Sequence, residues 1–283
     1  RYKLIHVHAY TIGYFCLKTA KKCGIPIRIA HSHNNETVHD IKWIFKLGMQ
    51  KLYALYATDL FACSEEAGKY LFGNKEFKVL TNAIDSSKFI ASIDVRNSVR
   101  EELLIENNFV VGHVGRFHSQ KNHKFLIEVF NEIKKKKNKA KLLLVGSGPL
   151  ENEIKQQIKE MKLENDVLFL GNRKDMSRIY QAMDVFVFPS LFEGLGIVAI
   201  EAQAAGIPVV CSEGLPPEAE VTPLYKKLKL TDSKEKWAEE TLKISNHPLC
   251  HTNMQQYIID AGFDMNSTAL EMQNYYLKRI KEG

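Results

Sequence analysis

Cysteine, tryptophan and proline are scarce in this chain of 283 residues, which holds five, two and eight of them. The cysteines, Cys16, Cys23, Cys63, Cys211 and Cys250, are odd in number, scattered and mostly set in apolar segments. That pattern excludes a disulfide framework and predicts reduced thiols in a cytoplasmic protein. No apolar run reaches about 18 residues, so no stretch reads as a bilayer span. No Asp-x-Asp pair occurs, no internal repeat is visible, and the only biased run is the lysine-rich segment 134–139. At a helix C-terminus such a run suits the helix dipole, and it reads either as a solvated helix end or as a contact with a membrane or an acidic partner. The chain starts Arg1-Tyr2-Lys3, without Met or signal peptide, and enters a buried-strand pattern at once. It reads as a fragment whose true start is missing.

What is present is an ordinary globular composition, 45% hydrophobic and 25% charged, on a chain long enough for two domains. The net charge of +6 is a mild excess that favours phosphorylated ligands or an anionic membrane surface; no nucleic-acid partner is expected. Between Leu4 and Thr81 the pattern predicts strands at 4–8, 25–31, 60–63 and 78–81. Helices end near Gly24, cover about 41–56 and start at Glu65. This alternation argues for a parallel sheet covered on both faces. A charged helix at 95–104 leads to a more regular series with strands at 109–114, 141–145, 167–170, 184–188 and 207–211. Such a βα series predicts a doubly wound sheet, whose ligands bind at the carboxyl ends of the strands. Beyond Ser212 the signals weaken to a strand at 226–230 and helices at 234–244, 254–261 and 267–281.

The chain is organised around residues 188–212. An apolar run ends at Pro189, a loop with Gly194 and Gly196 follows, and an Ala-rich segment stops at Gly206 before a second β-branched run. That is strand, loop, helix, strand, with Gly206 just past the helix end. The helix start offers unpaired backbone N–H groups and the positive end of a dipole, where a phosphate fits. Glu193 lies just before this helix and Glu201 two turns inside it, about 12 Å apart along the axis at helical rise. A glycosidase pair stands closer, at about 5 to 9.5 Å. The spacing suits two carboxylates gripping hydroxyls at opposite ends of a ligand whose diphosphate rests on the loop. Glu201 alone also reads as a solvated helix carboxylate.

Other candidates sit at strand ends. Arg116, after Gly115, and Lys121, before Asn122, follow the strand at 109–114, where two cations can neutralise a departing diphosphate. Gly146-Ser147-Gly148-Pro149 lacks the third glycine of a dinucleotide fingerprint and reads as a plain turn or a nucleotide contact, with Pro149 in the first turn of a helix. His6-Val7-His8 and His31-Ser32-His33 each put two imidazoles on one face of a strand. A metal hydrolase uses such pairs, but no ligating carboxylate is assignable, so no metal ligand is named. The missing Asp-x-Asp motif is consistent with metal-free chemistry, Arg116, Lys121 and the helix N-terminus standing in for Mg²⁺.

The pair Glu193 and Glu201, set in Pro-Ser-Leu-Phe-Glu-Gly-Leu-Gly and Glu-Ala-Gln-Ala-Ala-Gly-Ile-Pro-Val-Val, resembles the signature of glycosyltransferase family 4, the retaining group with the GT-B fold. The resemblance implies two Rossmann-like doubly wound domains facing a cleft, the first truncated at its N-terminus. That first, acceptor-side domain would comprise 1–85 with a returning helix at 264–283, and the nucleotide-sugar-binding domain 86–263. It implies that Glu193 faces the donor sugar and that Gly194, Leu195 and Gly196 hold the diphosphate by their backbone. Glu201 would bind the ribose hydroxyls, and Arg116 with Lys121 would clamp the diphosphate. Asn172 and Arg173 would lie near the base, and a histidine, His33 with His31 as the alternative, near the reacting sugar. It further implies a metal-independent enzyme with no cofactor, using a UDP-sugar as donor and a glycan or lipid-linked glycan as acceptor. Members that build capsular or exopolysaccharides are the nearest in pattern, with a peripheral place on the inner face of the plasma membrane. Two rivals share the nucleotide site: a GT-B nucleotide-sugar epimerase and a non-catalytic nucleotide-sugar-binding module.

Overall fold

The computed structural model describes residues 2–9, 12–33 and 52–282. The chain divides into two compact units, Arg1–Ile84 with Gly262–Gly283, and Asp85–Ala261. In chain order the described strands are β1 (Leu4–Val7), β2 (Ile27–Ser32), β3 (Asp59–Ala62), β4 (Lys78–Val79), β5 (Phe109–Val114), β6 (Ala140–Val145), β7 (Val167–Gly171), β8 (Val185–Phe188), β9 (Val209–Ser212) and β10 (Tyr225–Leu228). The described helices are α1 (Gly13–Lys22), α2 (Glu65–Phe72), α3 (Ile93–Glu102), α4 (His123–Lys136), α5 (Glu151–Glu160), α6 (Met176–Gln181), α7 (Ile197–Ala204), α8 (Lys234–Ile244), α9 (Gln255–Asp260) and α10 (Met265–Glu282). The helix expected at 41–56 lies outside the described residues except for its end at 52–56.

The smaller unit is a parallel sheet in the order β1-β2-β3-β4. Alternation of side chains divides its core in two. Val7, Ala30 and Ala62 pack with Leu17 of α1 and Leu71 and Phe72 of α2. Ile27, Ile29 and Phe61 face the other way and are covered by Met272, Tyr275 and Tyr276 of α10. A polar clasp reinforces that cover. Asp59, its side chain only 10% exposed, accepts from the Tyr275 hydroxyl and from Arg279 Nε at 2.9 Å. An N-cap also fixes α2, whose Ser64 hydroxyl accepts from the Ala67 amide.

The larger unit is a six-stranded, all-parallel sheet in the order β10-β9-β8-β5-β6-β7. β8 and β9 are buried along their whole length, as strands covered on both faces must be, which explains their unbroken apolar runs. Amphipathic α4 and α8 cover one face, and Trp237 of α8 is fully buried there, donating from Nε1 to the Lys229 carbonyl at 2.9 Å. At the amino end of β8, Asp184 accepts from the Val110 amide at 2.6 Å and from Arg96. The lysine-rich run ends α4, with Lys134 paired to Asp166, Lys135 to Glu132 and Lys136 to Glu239.

Three local details differ from the sequence reading. The helix after the glycine loop starts only at Ile197, because Gly196 (φ +74°) adopts a left-handed conformation that the helix cannot include. Glu201 therefore lies little more than one turn inside it, so the axial spacing drawn from helical rise does not apply across the loop. Pro149 precedes α5 rather than joining its first turn, since that helix starts at Glu151. The last strand sits at Tyr225–Leu228 rather than 226–230, because the backbone turns at Lys229, where the Asp232 carboxylate accepts from the Lys229 amide.

Candidate active site

In the larger sheet the chain direction of strand addition reverses between β5 and β8, so the loops leaving these two strands diverge and open a crevice at their carboxyl ends. The loop after β8 is pinned on both sides. The Leu191 amide donates to the Gln120 carbonyl at 2.8 Å, Gln120 Nε2 donates to the Phe192 carbonyl at 2.8 Å, and the Glu193 amide donates to the Gly214 carbonyl at 2.9 Å. A Cβ on Gly214 would stand 2.4 Å from the Leu191 carbonyl oxygen, so the approach requires glycine. No side chain caps α7, and the amides of Ile197 and Val198 have no acceptor within the helix. That end is a ready anion seat.

Glu193 and Lys121 meet across this crevice, Oε1 to Nζ at 2.6 Å, with side chains 8% and 16% exposed. The Lys121 ammonium also lies 4.7 Å from the centre of the Phe188 ring. Gly115 makes room for it, since a Cβ there would stand 3.2 Å from the Lys121 methylenes. Two buried histidines lie close by, their ring centres 4.7 Å apart. His113 Nδ1 donates to the Val187 carbonyl at 2.9 Å. Its Nε2, both His123 nitrogens and the Ser190 hydroxyl have no partner among the described residues. Burial, and next the Lys121 charge, hold His123 down to about 4, and burial keeps His113 well below the usual range. Both rings are therefore neutral beside the ammonium.

Arg116 is exposed and makes no ion pair among the described residues. With Gly115, Gly146, Ser147 and Asn172 it lines a cleft of about 530 Å³ at the ends of β5, β6 and β7. Asn172 Nδ2 donates to Ser147 Oγ at 3.0 Å. Arg173 is on the same rim, but its guanidinium is engaged by Asp175 at 2.7 Å and by Glu102. The Gly146-Ser147-Gly148 turn has a packing reason for its glycines. A Cβ on Gly146 (φ +132°) would stand 2.1 Å from the Gly115 carbonyl oxygen, and one on Gly148 2.5 Å from that of Phe117. Phe117 seals the turn by donating its amide to the Ser147 carbonyl at 3.0 Å.

Glu201 is not a solvated helix carboxylate. Its Oε2 lies 2.9 Å from the hydroxyl of the fully buried Tyr180, which also lies 3.1 Å from the Val198 carbonyl. Burial raises the Glu201 carboxyl, and the Tyr180 hydrogen bond opposes that rise. The second oxygen, Oε1, makes no hydrogen bond among the described residues.

In the smaller unit, His31 is only 4% exposed while His33, just past β2, is exposed. His33 Nε2 is 2.7 Å from His8 Nδ1, and its Nδ1 is 3.2 Å from Asn82 Oδ1.

The structure thus joins Lys121 to Glu193 directly, places Arg116 and Asn172 on one cleft, and gives Glu201 a buried partner. The sequence reading missed Tyr180, His113, His123, Ser190, Gln120 and Gly214. A histidine inside the apolar run that leads into Gly115-Arg116 was the one available signal, and the remaining five depend on contacts between distant segments.

A doubly wound parallel sheet with uncapped helix amides and opposed charges at its reversal point is an architecture that binds ligands at the carboxyl ends of its strands. Residues 94–264 match the family described as glycosyl transferases group 1, and the chain belongs to that family. It is 34% identical over 251 residues to EpsF of Bacillus subtilis (strain 168), whose name as a glycosyltransferase is itself provisional, covering 84% of this chain and 65% of that protein. It is 28% identical over 227 residues to an Escherichia coli protein named UDP-Gal:alpha-D-GlcNAc-diphosphoundecaprenol alpha-1,3-galactosyltransferase, covering 75% of this chain and 58% of that one. The chain therefore spans under two thirds of the length of these curated relatives. The crystal structure of HepE from Anabaena in complex with UDP superposes with a TM-score of 0.83 at 22% identity, over 98% of this chain and 79% of that one. The fold is that of two Rossmann-like α/β domains with parallel sheets, as in GT-B glycosyltransferases. Among the described residues no helix is long and apolar enough to cross a membrane.

Proposed function

We propose that this chain carries the catalytic machinery of a retaining glycosyltransferase that moves a sugar from a UDP-sugar to a hydroxyl of a glycan or lipid-linked glycan in cell-surface polysaccharide synthesis. The observation that carries the reading is the buried Lys121–Glu193 pair at the reversal point of the larger sheet, beside the free amides of α7. The UDP in HepE and the UDP-Gal in the name of the E. coli relative support the donor class. The diphosphoundecaprenol in that name supports a lipid-linked acceptor, and with it a peripheral membrane position.

Without donor, Lys121 neutralises Glu193. When the donor diphosphate arrives it competes for Lys121, and Arg116 and the α7 amides supply the remaining donors. The bond from the anomeric carbon to the diphosphate oxygen breaks as the acceptor oxygen bonds to the same face of the sugar. The departing phosphate oxygen takes the acceptor proton. Negative charge grows on the diphosphate during this step, so groups fixed in place before it act most strongly at the transition state. Glu193, released from Lys121, accepts hydrogen bonds from donor-sugar hydroxyls. Glu201 Oε1 accepts from the ribose, and Asn172 is assigned to the base. Gly194, Leu195 and Gly196 are assigned to the diphosphate through their amides, and His33 to the reacting sugar. No metal or cofactor is required by these roles.

The test uses the full-length protein, a panel of UDP-sugars with and without acceptor lipid, and UDP release as readout. Glu193→Ala and Lys121→Met should each lower turnover by about 100-fold or more while the protein stays folded by circular dichroism. Unchanged turnover in folded Glu193→Ala contradicts the assignment, and conversion of the donor without any acceptor favours an epimerase instead.

A further inference from the structure

The smaller unit contains a constellation of four histidines, of which the proposed transfer uses only His33. His6 and His8 project from one face of β1 and its end, and His31 and His33 from the same face of the neighbouring parallel strand β2 and its end, two residues further along than the Ile29 that pairs with His6. The four rings form a close array, with centroids 4.2 Å apart for His6–His8 and for His31–His33, 5.2 Å for His6–His31 and 4.9 Å for His8–His31. His6 Nε2 lies 3.1 Å from His31 Nδ1. One nitrogen from each of His6, His8 and His31 can be chosen so that all three lie within 4.8 Å of one another. Among the described residues the rings lean on side chains outside the array only at its edges, His6 Nδ1 on Tyr276 and His33 Nδ1 on Asn82, so the inner nitrogens of His6, His8 and His31 are turned toward one another.

From these observations we propose that His6, His8 and His31 form a binding site for one transition-metal dication at the carboxyl ends of β1 and β2. Zinc bound to imidazole at about 2.0–2.1 Å sets tetrahedral ligands about 3.3 Å apart, so modest ring rotations bring the three nitrogens to that spacing. Three imidazoles alone suffice for such an ion, leaving one position open, so the lack of a ligating carboxylate does not count against the site. The outer nitrogens are already arranged for it. His6 Nδ1 lies 2.5 Å from the Tyr276 hydroxyl, which can accept its proton and turn Nε2 toward the ion. If His33 Nδ1 donates to Asn82 Oδ1, its Nε2 accepts from His8 Nδ1, which leaves the His8 Nε2 lone pair free. An all-nitrogen set selects Zn²⁺, Co²⁺, Ni²⁺ or Cu²⁺ over Mg²⁺ and Ca²⁺. None of Arg116, Lys121, Glu193 and His33 is a ligand of the site, so zinc binding is read independently of donor turnover.

The test uses the full chain without a histidine tag, stripped with chelator and titrated with Zn²⁺ alone by calorimetry, with thermal melting alongside. We expect about one Zn²⁺ per chain and a raised melting temperature, since the ion binds only the folded arrangement. His8→Ala, at an exposed ring whose loss opens no core cavity, should abolish both effects while keeping its circular dichroism spectrum. Tyr276→Phe should weaken binding about 10-fold. The proposal is overturned if the wild-type chain binds no zinc, if folded His8→Ala binds it as tightly, or if Mg²⁺ raises the melting temperature as much as Zn²⁺.

Discussion

The two units share a βα rhythm but close their cores differently. The larger one covers its sheet with helices from its own continuous segment and seals it with apolar bulk, Trp237, Phe125 and Phe130 among it. The smaller one borrows α10 from the far end of the chain and fastens it with a polar clasp, Asp59 to Tyr275 and Arg279, next to the histidine array. Apolar packing is indifferent to pH, whereas a clasp of charges and a bank of neutral imidazoles are not. The difference gives each unit its own vulnerability.

The sharpest way to separate them is Trp237→Ala. The fully buried indole packs edge-on against Phe125, with ring centres 5.2 Å apart, and its removal should cost about 3–5 kcal/mol. Hydrogen exchange read by mass spectrometry should then quicken in β5, β6 and β8 and stay unchanged in β2 and β3. Equal quickening in both sheets breaks the comparison. The converse substitution, Arg279→Leu, leaves the mostly buried Asp59 with Tyr275 and Thr58 as partners and should cost about 1.5–3 kcal/mol. Its signature is faster exchange in β2, β3 and α10 alone. A third test is acid. His6 and His31 titrate in the fold at about 4 and about 3, below their ordinary 6.5, so the unfolded chain binds more protons through that interval. The stability they contribute is whole above pH 6.5 and declines as pH falls toward 4. His113, His123 and His251 of the larger unit are also lowered, but His251 stands apart from the other two beside Arg96, Arg100 and Asp184. The four adjacent rings of the smaller unit should therefore make its exchange protection decline faster between pH 7 and 5. Protection in β2 that is flat over this range contradicts the sign just given.

Much of the larger sheet was legible in the sequence because its strands are buried on both faces and read as unbroken apolar runs: 109–114 matches β5 and 234–244 matches α8 to the residue. The glycine loop was legible as well, and the departures came where one backbone angle decided the outcome, at Gly196 and before α5. What resisted reading was pairing across distance. Lys121 and Glu193 are separated by 72 residues, and Tyr180 and Glu201 by 21 with a strand between them. Spacing could show that each of His6-Val7-His8 and His31-Ser32-His33 shares a face. It could not show that the two faces coincide, which needs β1 and β2 to be neighbours in register.

The clasp between Asp59 and Arg279 joins residues 220 positions apart. During synthesis β2 and β3 leave the ribosome early, yet the helix that shelters their apolar face emerges only after the whole larger unit has been made. The smaller unit is thus begun before the larger one and completed after it, and for that interval Ile27, Ile29 and Phe61 lack their cover, the stage at which a nascent chain is most open to aggregation or to a chaperone.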